Sequence, residues 1–161
     1  MTESLRALVV EDNAHMRSLL RSLLVALGVG TICEAASAEE ALEVLSNSGI
    51  DLILTDLSME AMDGIALTRA VRQSAINPYV PIIMVTGHTE RHLVEAARDA
   101  GVTEFLAKPI TVNNLFLRIS EIVERPRCYV RCDDYFGPDR RRRSGEAHPK
   151  RRKDDCEIVA L

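Results

Sequence analysis

Four apolar runs in this chain of 161 residues each lead into a polar residue able to do chemistry. Residues 5–10 run into the acidic pair Glu11-Asp12, 50–55 into Asp56, 80–85 into Thr86, and 103–106 into Lys108 two positions on. Brought together, three carboxylates repel one another unless a cation or a proton neutralises them. A hard divalent ion such as Mg²⁺ suits them, because it prefers oxygen ligands and Ser58, two residues past Asp56, adds a backbone carbonyl to the side-chain oxygens. A carboxylate in that setting can attack phosphorus and give an aspartyl phosphate. Lys108, a compact point charge, then helps the ion to balance the transferring group, while the Thr86 hydroxyl can hydrogen-bond a phosphoryl oxygen and Gly87 leaves it room.

This chemistry requires all four runs to end at one place. Residues 5–10 read as a strand buried on both faces, since the run has almost no polar alternation. Met16, Leu19, Leu20, Leu23, Leu24 and Leu27 recur at three- and four-residue spacing up to Gly28 and Gly30, which predicts an amphipathic helix closed by glycine. A strand is expected over 31–34. A helix follows, capped by Ser37 with Glu40 three residues later, carrying Ala41, Leu42 and Leu45 and stopping at Asn47-Ser48-Gly49. The order repeats as strand 50–55, helix 64–74, an Asn77-Pro78 turn, strand 80–85, helix 90–100 ending at Gly101, strand 103–106, a break at Lys108-Pro109 and helix 112–123. Five strands alternating with five helices predict an α/β fold, a five-stranded doubly wound parallel sheet whose crossovers are the helices. Ligands of such sheets bind outside the carboxyl ends of the strands at the topological switch point, so Glu11, Asp12, Asp56, Thr86 and Lys108 are expected to converge.

The stretches Val10-Glu11-Asp12-Asn13, Asp56-Leu57-Ser58-Met59 with Met62-Asp63-Gly64, Val85-Thr86-Gly87 and Lys108-Pro109-Ile110-Thr111, in this order and spacing, resemble the receiver domains of two-component response regulators of the chemotaxis type. The resemblance covers about residues 5–124. It implies the flavodoxin-like strand order 2-1-3-4-5, Glu11, Asp12 and Asp56 as Mg²⁺ ligands with the Ser58 carbonyl, Asp56 as phospho-acceptor, Thr86 as switch hydroxyl and Lys108 as phosphate contact. Phe105 matches the aromatic that such domains turn inward when the threonine moves toward the phosphoryl group. The resemblance further implies a histidine kinase or histidine phosphotransfer protein as donor, a downstream protein target, and no catalysis beyond phosphorylation and dephosphorylation of Asp56 itself. Homodimerisation through the last helices is common in the family, and nothing in this sequence decides it. Two positions depart from the family pattern. Glu60 stands where proline is usual, which loosens the loop after Asp56 and charges it, and His88 occupies a position that influences how water reaches the aspartyl phosphate.

Each residue taken singly has a plainer reading: Asp12 and Asp56 as helix caps or loop acids, Thr86 as an N-cap, Lys108-Pro109 as a strand terminator, Phe105 as core. Their joint register favours the site. His15 and His92 lie on predicted helices with no second ligand at metal spacing.

The composition, 47% hydrophobic and 27% charged, fits one globular unit with an appendage and excludes a disordered chain. No apolar run approaches the roughly 18 residues of a membrane span, and the first residues lack the order of a signal peptide, so a cytoplasmic location without membrane association is expected. Residues 1–124 hold 9 Lys and Arg against 17 Asp and Glu, whereas 125–161 hold 11 against 7. The chain therefore divides into an acidic receiver domain of net −8 and a basic tail of net +4. From Glu124 the apolar periodicity ends and Pro126, Pro138 and Pro149 appear among the basic clusters 140–143 and 150–153, which predicts an irregular C-terminal extension. It is too short for a helix-turn-helix, so no sequence-specific DNA binding is expected. The run Tyr135-Phe136-Gly137-Pro138-Asp139-Arg140-Arg141 resembles extensions on some bacterial single-domain regulators. The tail reads as solvated, as a patch for nucleic acid or an anionic partner, or as a segment folded back on the acidic body through Tyr129, Tyr135 and Phe136. A constitutive binding module acting through this tail is the competing reading of the whole chain. Cys33, Cys128, Cys132 and Cys156 are expected as free thiols in a reducing cytosol, and the scattered spacing of the last three with His148 disfavours a zinc site.

Overall fold

Strand pairing in the computed structural model, which describes residues 4–87, 90–140 and 157–159, follows the apolar runs. β1 (Arg6–Val10), β2 (Thr31–Ala35), β3 (Leu52–Asp56), β4 (Ile82–Thr86) and β5 (Glu104–Ala107) form one parallel sheet in the order β2-β1-β3-β4-β5. The crossovers are α1 (Ala14–Ala26), α2 (Ala38–Asn47), α3 (Gly64–Gln73) and α4 (Arg91–Ala100), and α5 (Val112–Glu124) follows the last strand. The expected α/β architecture and strand order are thus the observed ones, with boundaries displaced by one or two residues.

Side-chain alternation along the strands sorts the core into two faces. Ala7, Val9, Leu52, Leu54, Ile83 and Val85 point to one side and meet Leu20 and Leu24 of α1 and Leu115 of α5. Leu8, Val10, Ile53 and Ile82 point to the other and meet Ala38 and Ala41 of α2 and Leu67 and Val71 of α3. Under α4, Ala97 and Ala100 close on Leu57, Ile65, Met84 and Val102. The Asn13, Ser37, Asp63 and Thr111 side chains each accept a backbone N–H three residues on and so start α1, α2, α3 and α5. Glu40 completes the arrangement at α2 by accepting the Ala36 N–H at 2.7 Å. Gly101 ends α4 at φ 106, a left-handed conformation that favours glycine. Among the described residues no helix is long and apolar enough to cross a membrane.

The extension departs from the irregular chain expected. β6 (Tyr129–Cys132) and β7 (Tyr135–Pro138) form an antiparallel hairpin, and β8 (Glu157–Val159) pairs with the other edge of β6. Aromatic burial supplies the reason. Tyr129, only 2% exposed, stands edge-on to Tyr79 at 5.3 Å, and Phe136 meets the same ring at 5.4 Å. Cys33 and Cys128 are free thiols, but Cys132 is disulfide-bonded, which corrects the expectation for that residue. An ordered strand holds this thiol in place for bridging as a loose tail would not. The basic clusters 141–143 and 150–153, with His148 and Cys156, lie outside the described residues.

Arg72, in the last turn of α3, is the unexpected member of the interior. Its guanidinium donates to the carbonyl of Gly101 from Nε at 3.0 Å and Nη2 at 2.9 Å, and from Nη1 to those of Pro78 at 2.8 Å and Val80 at 2.7 Å. Its charge also lies 5.3 Å from the centre of the Tyr129 ring. The hydrogen bonds tie together the ends of α3 and α4 and the segment before β4, and the ring contact joins them to the extension. Arg72→Met is expected to strand buried carbonyls and lower stability by about 3 kcal/mol, measured by urea unfolding.

Candidate functional site

The sheet reverses its strand order between β1 and β3, and the acids stand at that point. Glu11 follows β1 directly and is fixed from three directions. Its N–H donates to the Ala35 carbonyl at 3.1 Å, its carbonyl accepts Nη1 of Arg17 at 2.7 Å, and its Oε1 accepts the Asn13 N–H at 3.2 Å. Oε2 is buried without a hydrogen-bond partner. Asp56 ends β3 and is buried, whereas Asp12 is exposed. Oxygens of Glu11, Asp12 and Asp56 all lie within 4.8 Å of one another. Lys108, past β5 and joined to Pro109 by a cis peptide bond, sets Nζ 3.1 Å from Asp56 Oδ1 and 3.8 Å from Glu11 Oε2. Its own N–H donates to the Thr86 carbonyl at 2.9 Å, so the ends of β4 and β5 are fastened where the lysine leaves the sheet.

Burial pushes the Glu11 carboxyl up to about 7. The bond from Asn13 opposes this shift, the Asp56 charge reinforces it and the Lys108 charge opposes it. A buried acid with one oxygen unpartnered, facing two further carboxylates, is a donor set suited to a hard divalent cation. It offers oxygen only, with no thiol or imidazole in the group, and therefore fits Mg²⁺ better than zinc or copper.

The remaining expected residues occupy the surroundings. Ser58 is exposed in the loop between β3 and α3, and Glu60 is exposed in the same loop. Thr86 is buried at the end of β4. Phe105 is half-buried and packs on the cluster beneath α4. His15 and His92 are exposed, and His88 lies outside the described residues. A cleft of about 310 Å³, lined by Glu11, Asn13, His15, Met16, Leu19 and Lys108, opens beside the acids.

Two supports escaped the sequence. Arg17 was only a polar position on a helix, with nothing to mark its bond to a strand-end carbonyl. Gly64 was read as part of a motif, without its reason: a Cβ there would run into the Asp56 carbonyl oxygen and lie 2.9 Å from Met84 Sδ. The absent side chain lets α3 start against the backbone of Asp56, with the Gly64 N–H donating to the Leu57 carbonyl at 2.9 Å.

Comparisons with known proteins agree with this geometry. The model of the response regulator receiver domain matches residues 7–120. The chain is 36% identical over 121 residues to chemotaxis protein CheY of Pseudomonas aeruginosa, a match covering 75% of this chain and 98% of that protein. It resembles the crystal structure of a putative response regulator from Chloroflexus aurantiacus with TM-score 0.72 and 29% identity, over 76% of this chain and all of the other. It also resembles the receiver domain of a sensor histidine kinase from Pseudomonas aeruginosa, solved with a magnesium ion coordinated in its active site cleft. That TM-score is 0.69 at 26% identity, over 76% of this chain and 99% of the other. With a full-length receiver match, this strand order and this acidic cluster, the chain belongs to the response regulator receiver domain family, among its CheY-like members.

Proposed function

We propose that this chain is a phosphorylation-controlled signalling switch in which Asp56 takes a phosphoryl group from a phosphohistidine on a histidine kinase or phosphotransfer protein. One observation supports the reading above others: a buried Asp56 carboxylate stands 3.1 Å from Lys108 Nζ at the edge of an acidic cluster. An Asp56 oxygen forms a bond to phosphorus as the P–N bond of the donor breaks, and the electron pair of that bond stays on the ring nitrogen, which takes up a proton. Lys108 already touches the nucleophile and faces the charge that develops on the phosphoryl oxygens. Mg²⁺, held by Glu11, Asp12, Asp56 and the Ser58 carbonyl, would neutralise the acids and offset the remaining phosphoryl charge.

Thr86, buried at the end of β4, offers its hydroxyl to a phosphoryl oxygen, and Phe105 on the neighbouring strand follows its movement beneath α4. The surface around Phe105 and α5 changes in consequence and with it the protein that the chain binds, in the cytoplasm. The chain acts on no substrate other than itself. An acidic cluster assembled with its lysine favours this switch over a binding module with a vestigial pocket.

Incubation with acetyl phosphate and Mg²⁺ is expected to add the mass of one phosphoryl group, an adduct that Asp56→Asn abolishes; no adduct on the unaltered chain would remove the reading. Lys108→Ala is expected to slow adduct formation about 100-fold, followed by intact mass spectrometry. A proton on Glu11 competes with the metal, so Mg²⁺ affinity should fall about tenfold between about pH 8 and about pH 6, measured by titration calorimetry. The same raised value gives the metal-free chain a contribution to stability that is complete below 4.5 and lost as pH rises through about 7.

A further inference from the structure

The extension grips the receiver body at the end of the sheet opposite the acids. Gly137 of β7 lies against Gly101 at the end of α4: a Cβ on Gly137 would stand 2.9 Å from the Gly101 α-carbon, and one on Gly101 would stand 3.0 Å from the Phe136 carbonyl oxygen. Two backbones in contact without side chains between them have no soft element to absorb a shift. Two residues earlier in the body, Asp99 pairs with Arg140 Nη2 at 3.1 Å, and the Arg140 guanidinium covers the Tyr135 ring at 4.1 Å. Glu104, the first residue of β5 and 1% exposed, is paired with Arg127 just before β6 and with Arg118 of α5 at 3.4 Å. The extension therefore holds the end of α4, the start of β5 and the body of α5 together.

Those are the elements that flank Phe105. It follows Glu104 directly and packs beneath α4 on the cluster that contains Ala97 and Ala100. A four-residue strand spans about 13 Å, so the hairpin and Lys108 stand at the two ends of a single short rod.

We infer that the C-terminal hairpin is a built-in clamp on the switch, opposing the movement of Phe105 beneath α4 that the proposed phosphorylation of Asp56 sets off. This rests on the reading of Asp56 as phospho-acceptor. Displacing α4 relative to β5 separates Gly101 from Gly137 and pulls Asp99 from Arg140 while Glu104 stays tied to Arg127. The exposed Asp99–Arg140 pair adds little by itself, and the buried backbone contact and aromatic trio carry the grip. Because coupling between two sites is reciprocal, phosphorylation loosens the hairpin and a loosened hairpin eases phosphorylation.

Hydrogen exchange followed by mass spectrometry on the full chain, with and without acetyl phosphate and Mg²⁺, tests both directions. The expected result is exchange over residues 129–138 that rises severalfold with the adduct and does not change in Asp56→Asn. Gly137→Ala, which forces a methyl group against Gly101, raises the population of the released arrangement that accepts the phosphoryl group and is expected to take it up about fivefold faster than the unaltered chain. Phe136→Leu, which thins the aromatic trio, should shift the rate in the same direction and carries this arm if Gly137→Ala does not fold. A full adduct with unchanged exchange over 129–138, or released variants with unaltered rates, overturns the clamp and leaves the Asp56 reading standing. Failure of the unaltered chain to form any adduct removes both.

Discussion

Like charges forced together at the rim of a sheet are the constraint around which this chain is arranged. Glu11 and Asp56 close two neighbouring parallel strands, so their separation is set by the ladder and they cannot drift apart as loop residues would. Burial of Glu11 heightens the conflict, because a desolvated carboxylate has lost the water that would screen it. Lys108 answers part of that charge, and it can do so only because β5 ends on the Thr86 side of β4 and delivers the amine across the strand ends. The backbone bonds that Glu11 makes to Ala35, Asn13 and Arg17 hold one oxygen still while the other faces the cluster. Such tension within a site is typical of places built to receive a counter-charge.

How far the sequence could be read depended on whether a residue's partners carry a pattern. Strands β1, β3 and β4 announced themselves because both their faces are buried and their apolar runs are continuous. Ser37 and Gly101 were legible because a cap and a left-handed turn demand particular residues. Glu11, Asp12, Asp56, Thr86 and Lys108 were legible as a set through their common place at strand ends. Arg72 was not, since its partners are backbone carbonyls of Pro78, Val80 and Gly101, and any sequence has carbonyls. Burial of Glu104 was hidden for a related reason: its second guanidinium comes from Arg127, beyond the last receiver helix.

The hairpin evaded sequence reading because its strands are four residues long, one carrying Arg131 and the other ending on Gly137-Pro138. Arg131 and Phe136 face each other across it and pair cation to ring at 4.7 Å, a contact that a search for apolar alternation does not anticipate. Proline and clustered arginine suggested a solvated tail, yet the aromatic residues among them found a receptive surface in Tyr79 and Arg72. Local composition argued for disorder, and a few long-range contacts outweighed it.

The seat of Tyr129 bears on where this protein can be divided. The family model matches up to residue 120, and a chain trimmed to that span would bare the Tyr79 ring and one face of the Arg72 guanidinium to water, and would strip Glu104 of the guanidinium of Arg127. Such a fragment would keep the five-stranded sheet but lose the aromatic and ionic contacts that the extension makes. Cohesion in this structure therefore runs past the matched part, through Tyr129, Phe136 and Arg127.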